Sequence, residues 1–478
     1  MMMFIRTTLI LVATCSMIAT AEDVPARVSE DSMFGAPATM TRAIQDAFSS
    51  GEVKDNPLQI GGLLYQRFTV ASKKGVSSKD TPLSMPLQFD LFLDARPSDR
   101  VRGFLSERIL YDSSRDAYGS ATNGGSSGGL QFSSGSTAPT LTTTATAPNN
   151  PQTVLDQAWL KFDLNRSVFV TVGKQHLKWG TSRFWNPTDF LNAESRDPLL
   201  PYDLRLGTTM LKFDMPLEAL RMNLYAITLF SNPEPASTVG QLGEALRLEK
   251  LIGKAEVGLD AVFRGGLSPT YGADFSAPMG PFDIYGELAY LTSPTANTYR
   301  LNTAPTAGAE LTTLYSQREM HGPIFQTSGG LNYSFGWREN RVGTLGVEYF
   351  YNDQGYDDAS AYPVLILLNR YQPFYTGRNY AAFYLTAEGP DEGKHTSYTF
   401  STLGNLSDSS YISRLNFAWK FLSYVTFEAY YAQHFGRRGG EFNFALDTPA
   451  LTYLATPVPA VSIPQTMFDV GLSLRVAF

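Results

Sequence analysis

Met467-Phe-Asp-Val-Gly-Leu-Ser-Leu-Arg-Val-Ala-Phe478 closes the chain and decides its fold. Phe468, Val470, Leu472, Leu474, Val476 and Phe478 share one face of an extended strand, and Asp469, Gly471, Ser473, Arg475 and Ala477 share the other. A soluble sheet with one wet face gives such alternation, so a β-sandwich is the rival reading. A soluble chain rarely stops on an apolar face. A membrane barrel strand has lipid on one side and a wet lumen on the other, and produces this pattern of necessity. The expectation is an all-β chain: a transmembrane antiparallel β-barrel.

The pattern repeats upstream. Leu87, Phe89, Leu91 and Leu93 oppose Gln88, Asp90, Phe92 and Asp94; Ala158, Leu160, Phe162 and Leu164 oppose Gln157, Trp159, Lys161 and Asp163. Ala255, Val257, Leu259, Ala261 and Phe263 oppose Lys254, Glu256, Gly258, Asp260 and Val262. Strands are expected at 58–70, 84–95, 99–111, 154–164, 166–176, 204–215, 218–230, 242–250, 253–265, 270–279, 281–292, 325–337, 340–351, 378–388, 394–403, 409–421, 423–434 and 467–478. Segments 99–111 and 166–176 alternate imperfectly, which calls for a bulge or a shifted boundary. The count is about 18, with 16 as the alternative.

Every second connection is short: Arg96-Pro-Ser-Asp99, Leu164-Asn-Arg-Ser167, Met215-Pro-Leu-Glu218, Leu251-Ile-Gly-Lys254, Met279-Gly-Pro281, Trp337-Arg-Glu-Asn340, Gly389-Pro-Asp-Glu-Gly393 and Phe421-Leu-Ser423. Most carry turn chemistry. The intervening set includes 112–153, 177–203, 293–324, 352–377 and 435–466, all long. Short periplasmic turns and long extracellular loops give this rhythm. A propeller or β-helix would show a sequence period, and none is visible.

At the other end, Arg6 precedes an apolar run from Leu9 to about Ile18, and Ala19-Thr20-Ala21 is an A-x-A cleavage site. The run is too short to span a bilayer, which takes roughly 20 apolar residues. Three parts are therefore expected: a signal peptide 1–21, a polar periplasmic segment 22–57, and a barrel 58–478. The segment is either a disordered lead-in or a small plug, with a short helix at Thr41–Phe48. Residues 118–150, rich in Gly, Ser, Thr and Ala, suit a mobile surface loop. Cys15 is the single cysteine and falls within the removed part, so disulfides and thiolate sites are excluded from the mature chain.

Hydrophobic residues make up 43% and charged residues 17%, too polar for a helical membrane protein. The net charge of −7 argues against a nucleic-acid partner. Gly124-Gly-Ser126-Ser-Gly128 matches G-x-S-x-G literally, but in low-complexity sequence without the strand–turn–helix setting of a nucleophile elbow. His176, His321, His395 and His434 lie far apart and form no metal-ligand spacing. No catalytic residues, metal site or cofactor are expected, and no enzymatic activity.

The densest unusual stretch is Val172-Gly-Lys-Gln-His-Leu-Lys-Trp-Gly-Thr-Ser-Arg-Phe-Trp-Asn-Pro-Thr-Asp-Phe-Leu-Asn192, at the outer end of the fifth strand. A loop meant only for water does not carry Trp179, Phe184, Trp185 and Phe190 so closely; such rings need a surface. Asn186-Pro187-Thr188-Asp189 offers turn or helix-start chemistry, with Thr188 or Asp189 as a cap. The stretch either folds into the lumen and narrows it, or forms an aromatic girdle followed by a packed surface loop. The inward reading makes Trp179, Arg183, Trp185, Asp189, Arg196 and Arg205 the constriction and solute-contacting residues.

The final strand resembles the C-terminal strand by which Gram-negative outer-membrane barrels are recognised for assembly, which implies Phe478 as an assembly signal. The segment from Gly173 to Asp189 resembles a G-[KR]-Q-x-x-x-W-G…W-N-P-T-D motif in a group of porin-like outer-membrane barrels. In porins a loop after the fifth strand folds inward as the constriction. The resemblance implies residence in the cell outer membrane, with outer-membrane lipid, lipopolysaccharide, the barrel assembly machinery and a small solute as partners. The oligomeric state stays open. This loop is aromatic and mixed in charge, unlike the acidic constriction loop of general porins.

Inward positions assigned from the alternation give Lys161, Arg205, Lys212, Arg221, Arg247, Lys254, Arg264, Arg414, Lys420 and Arg475, interleaved with Asp90, Asp94, Asp163, Asp214, Glu249, Glu256, Asp260, Asp283, Glu287, Glu348, Glu428 and Asp469. A strongly ion-selective pore shows one dominant sign. The expectation is a porin-like channel for passive, moderately selective passage of neutral or weakly charged small solutes. The alternatives are a surface-polysaccharide export or attachment barrel and a structural or adhesive barrel.

Overall fold

The computed structural model describes residues 57–114, 130–132, 139–141, 150–192, 194–200, 203–232, 234–235, 238–338, 341–368, 370–391, 393, 395–453 and 456–478. The expected signal peptide, nearly all of the segment 22–57 and the G-x-S-x-G match lie outside the described residues.

A closed antiparallel barrel of 18 strands forms the body of the protein. In chain order they are β1 (Leu58–Lys73), β2 (Pro86–Ser98), β3 (Val101–Asp112), β4 (Gln152–Leu164), β5 (Val168–Gln175), β6 (Thr208–Leu217), β7 (Met222–Leu229), β8 (Gly243–Ile252) and β9 (Ala255–Arg264). Then follow β10 (Thr270–Met279), β11 (Phe282–Leu291), β12 (Ile324–Arg338), β13 (Arg341–Asn352), β14 (Asn379–Glu388), β15 (Thr396–Asn405), β16 (Ser410–Leu422), β17 (Val425–Gly436) and β18 (Thr466–Ala477). Each strand pairs with the next, and β18 pairs with both β17 and β1. Closure leaves no free sheet edge, as backbone in hydrocarbon requires. At the seam, Gly62 and Phe478 exchange backbone hydrogen bonds of 2.9 and 3.1 Å, and the Phe478 ring stacks on Phe89.

All 18 expected strands are present, and both irregular ones have a cause. The ladder between β3 and β4 shifts register at Ser106/Glu107, leaving Asp156 as the extra residue. The fifth strand starts late, at Val168, because Asn165 and Arg166 take positive φ in the turn before it. The lumen assignments of Arg205, Arg221 and Lys254 need correction: Arg205 precedes β6, Arg221 caps a short 3-10 turn, and Lys254 sits in the β8–β9 turn. Short turns gather at one end of the barrel, and long connections at the other.

Along β18, Val470, Leu472 and Leu474 are exposed on the outside, while Asp469, Ser473 and Arg475 are buried inside. The interior charges pair across the wall. Arg247 bonds Asp260 and Asp274 at 2.7 Å each and Glu249 at 2.9 Å; Arg102 holds Asp94 at 2.9 Å, and Arg108 holds Asp90 at 3.0 Å. Such pairs satisfy part of the interior charge within the wall. Leu472, 52% exposed, is a test of the outer face. Leu472→Arg should destabilise the barrel by about 2–4 kcal/mol if it lies near the bilayer midplane. Chemical unfolding in vesicles measures this, and an unchanged midpoint would put Leu472 outside hydrocarbon. Gly258, on the inner face, sits against Asp274 and Arg247: a Cβ there would press on the carboxylate and the guanidinium, which would have to shift.

Candidate functional site

The connection between β5 and β6 turns into the lumen, and its sequence explains how. Gly173 leaves β5 with φ of 123°, where a Cβ would strike the Ala158 backbone. Trp179, 3% exposed, then packs with Leu191 against Met210, Ile227, Leu229, Ala245 and Val262, contributed by β6 to β9. Gly180 follows with φ of 90°, and a Cβ there would lie 2.6 Å from the carboxylate of Glu287. Both positions require glycine, one for its approach to a neighbouring strand and one for its approach to a carboxylate.

Two carboxylates from the wall hold the loop. Glu287, on β11, accepts the backbone N–H of Thr181 at 2.7 Å, Ser182 at 2.6 Å and Thr188 at 3.2 Å. It also accepts the Thr188 hydroxyl at 2.7 Å and Asn186 Nδ2 at 3.0 Å. Glu348, on β13, accepts the N–H of Arg183 at 2.8 Å, Phe184 at 3.0 Å and Trp185 at 2.8 Å, and the Tyr285 hydroxyl at 2.9 Å. A buried carboxylate needs several donors, and a loop crossing a lumen needs acceptors for its N–H groups. Each supplies the other's need. Asn186-Pro187-Thr188-Asp189 forms turns and no helix: the Thr188 hydroxyl goes to Glu287, and Asp189 accepts from Trp179 N, Asn192 and Arg205.

Trp185 is fully buried. It stacks on Phe350 at 5.8 Å and 10°, packs beside Tyr380, and donates from Nε1 to the Phe374 carbonyl at 2.9 Å. Phe184, Leu199, Tyr384, Leu403, Ile412, Ala432 and Phe442 complete this apolar cluster. The Arg183 guanidinium sits over Tyr384, its Cζ 3.8 Å from the ring centroid. Arg196 donates to the Arg183 carbonyl at 3.2 Å, and Arg205 bridges Asp189 at 2.9 Å and Asp203 at 2.6 Å. The six residues singled out in the sequence therefore belong to one folded unit. Trp179 and Trp185 are packed away from lumen water, Asp189 and Arg205 bind each other, and Arg183 and Arg196 stay half-buried. On the returning limb, burial pushes the Asp197 carboxyl up to about 6, against the pull of Arg414, Arg196 and Arg67.

Glu287 and Glu348 were expected on the lumen face, but not as parts of the site. Their signal was present: at register positions Glu287 faces Asp274 and Ser328, and Glu348 faces Gly330 and Ala382. An inward carboxylate without a cation on either neighbouring strand must find donors elsewhere.

Long connections from the same end fold down onto this unit. Phe374 and Phe442 join the Trp185 cluster. Above them, the helix Tyr362–Leu367 packs Tyr362, Val364 and Leu365 with Leu311, Leu314, Tyr315 and Leu451. Glu441, buried, accepts the N–H of Phe374, the Tyr380 hydroxyl at 2.6 Å and Asn405 Nδ2 at 2.7 Å; its own N–H donates to Asp408 at 2.7 Å. Burial, and then the neighbouring Asp408 charge, raise the Glu441 carboxyl from 4.5 to about 8. The folded cap thus favours the protonated acid. Its contribution is complete below pH 4.5, falls as pH rises through the interval to about 8, and is flat above. Proteolysis of the loops in the folded barrel should quicken between pH 5 and 8, and Glu441→Gln should flatten that dependence. An identical profile in the variant would remove Glu441 as its source.

No family model matches the chain, and no curated relative matches it. Among solved structures it is similar to the porin of Rhodopseudomonas blastica. A triple mutant and a five-fold mutant of that porin each align at 10% identity and a TM-score of 0.41, over 88% of this chain and all of the other. The barrel stands on its own strand ladder and takes nothing from these likenesses.

Proposed function

We propose that the protein is an outer-membrane channel for passive, moderately selective passage of neutral or weakly charged small solutes. The observation that carries this is the β5–β6 loop, drawn into the lumen and fixed there through the backbone N–H groups that Glu287 and Glu348 accept. A wide barrel encloses water, and a pinned inward loop reduces its section. The loop packs on the arc from β6 to β17 and is also bonded to β3 and β4 through Arg108 and Asp156. Half-buried Arg67 on β1, Arg414 on β16 and Tyr430 on β17 lie near the returning limb with Asp197 and Arg196. Arg475 pairs with Glu428 at 3.5 Å beside them. Mixed charge at the narrows favours solutes with hydroxyls over strongly charged ions.

Liposome swelling with sugars of increasing size tests this. Uptake should fall off sharply with size in the native barrel and less sharply when the loop is released. A folded barrel that admits no sugar at all would overturn the proposal.

A further inference from the structure

We propose that the outer face of β12–β16 carries a binding groove for one acyl chain of a surrounding membrane lipid, recognised by its chain and not by its headgroup. The inference rests on the barrel's placement in a bilayer and is independent of what passes through the pore. A concavity of about 650 Å³ opens on this face. Its floor follows from one row of the strand register, in which Gly329 pairs with Tyr349, Tyr349 with Ala381, Ala381 with Gly404, and Gly404 with Tyr411. Three of these five outward positions have a methyl or nothing where the rest of the belt carries Leu, Phe or Tyr. Tyr349, the large residue between Gly329 and Ala381, is directed along the strands by its hydroxyl, which donates to Asn379 Oδ1 at 2.6 Å. The next row, with Leu331, Val347 and Phe383, forms the lower wall.

Three features choose the occupant. The groove is continuous with the exposed apolar belt, where Leu331, Val347 and Tyr349 all face outward. Acyl chains already fill that belt in a membrane barrel. Its floor asks for no hydrogen bond: the strand backbones are paired, and Thr402 is satisfied by the Ser413 hydroxyl at 2.8 Å. No Lys, Arg or His lines it, so nothing there would recognise a phosphate. Ala381 is two residues from the start of β14, about 7 Å of strand, which puts the groove near the loop end and in the outward-facing leaflet. The trough crosses the four strands β12 to β15, roughly 14 Å, and the Tyr411 ring over Gly404 closes its far end. An empty concavity in hydrocarbon forfeits contacts along its lining, and a flexible chain restores them.

Gly329 is the place to fill it. Its backbone is not in the positive-φ region, and a Cβ would meet the Tyr285 carbonyl at 3.5 Å and Gly286 Cα at 4.0 Å, both ordinary contacts. The purified barrel in mild detergent is mixed with dipalmitoyl phosphatidylcholine, or with dihexanoyl phosphatidylcholine of the same headgroup, and weighed by native mass spectrometry. The long-chain lipid should be retained at one per barrel and the short-chain lipid lost. Gly329→Leu should lower retention at least five-fold, with conductance and heat-modifiability unchanged. Ala381→Phe repeats the test if the first variant folds poorly. Equal retention by the filled variants, or equal retention of the short-chain lipid, would overturn the proposal. So would a filled variant whose oligomeric mass changes, which would give the groove to a second copy of the chain.

Discussion

Replacing Glu287 and Glu348 together by alanine should release the β5–β6 loop from the wall and raise single-channel conductance. Three backbone N–H groups of the loop end on Glu287 and three on Glu348. A buried donor left without an acceptor costs about 1–3 kcal/mol, and six such donors exceed what a loop can bear in place. The loop should leave for water, where its N–H groups are solvated. The strand ladder itself loses no backbone pair; on the wall, the Tyr285 hydroxyl loses its acceptor, Glu348. The expected signature is a stable barrel with larger conductance, a higher size limit for sugars and rapid proteolysis within 177–203. Unchanged conductance together with unchanged proteolysis would show that the carboxylates do not hold the loop.

Trp185→Ala should have the second-largest effect, and by a different route. The indole is fully buried among Phe350, Tyr380 and Phe374. Removing such a side chain costs about 3–5 kcal/mol through lost transfer energy and the cavity left behind. That loss falls on the attachment of the loop and of the connection that carries Phe374, not on the strand ladder. Barrel yield should hold while conductance becomes noisy, with openings longer than in the native protein. Trp185→Cys gives a second measurement: its thiol should react slowly with a large impermeant maleimide on intact cells. Fast labelling would place the residue at the surface and leave an ordinary outer loop.

How much of this was legible in the sequence depends on which residues carried it. The barrel was legible because lipid and water impose period two on each strand, and Phe468 to Phe478 shows that period without a break. The 18 strands were legible because turns such as Met279-Gly-Pro281 punctuate the pattern. The crowded aromatics showed that the loop after the fifth strand needs a surface to pack on, and left the inward and girdle readings open. What Gly173, Gly180 and Thr188 do was not legible, because their roles are set by a strand neighbour at Ala158 and by Glu287, a hundred residues away. Of the inward carboxylates, Asp260 meets the wall cation Arg247, whereas Glu287 and Glu348 meet loop backbone. The cap was also missed. Tyr362–Leu367 is a single short apolar turn with no period to detect.

One measurement bears most directly on the central claim. The folded barrel is inserted into a planar bilayer, and single-channel current is recorded before and after the loop is released by the Glu287→Ala, Glu348→Ala pair. The account predicts small, steady openings in the native protein and a clear increase in the variant. A native barrel that never conducts while its released variant does would make the loop a plug and not a constriction. No conductance from either would contradict the channel itself.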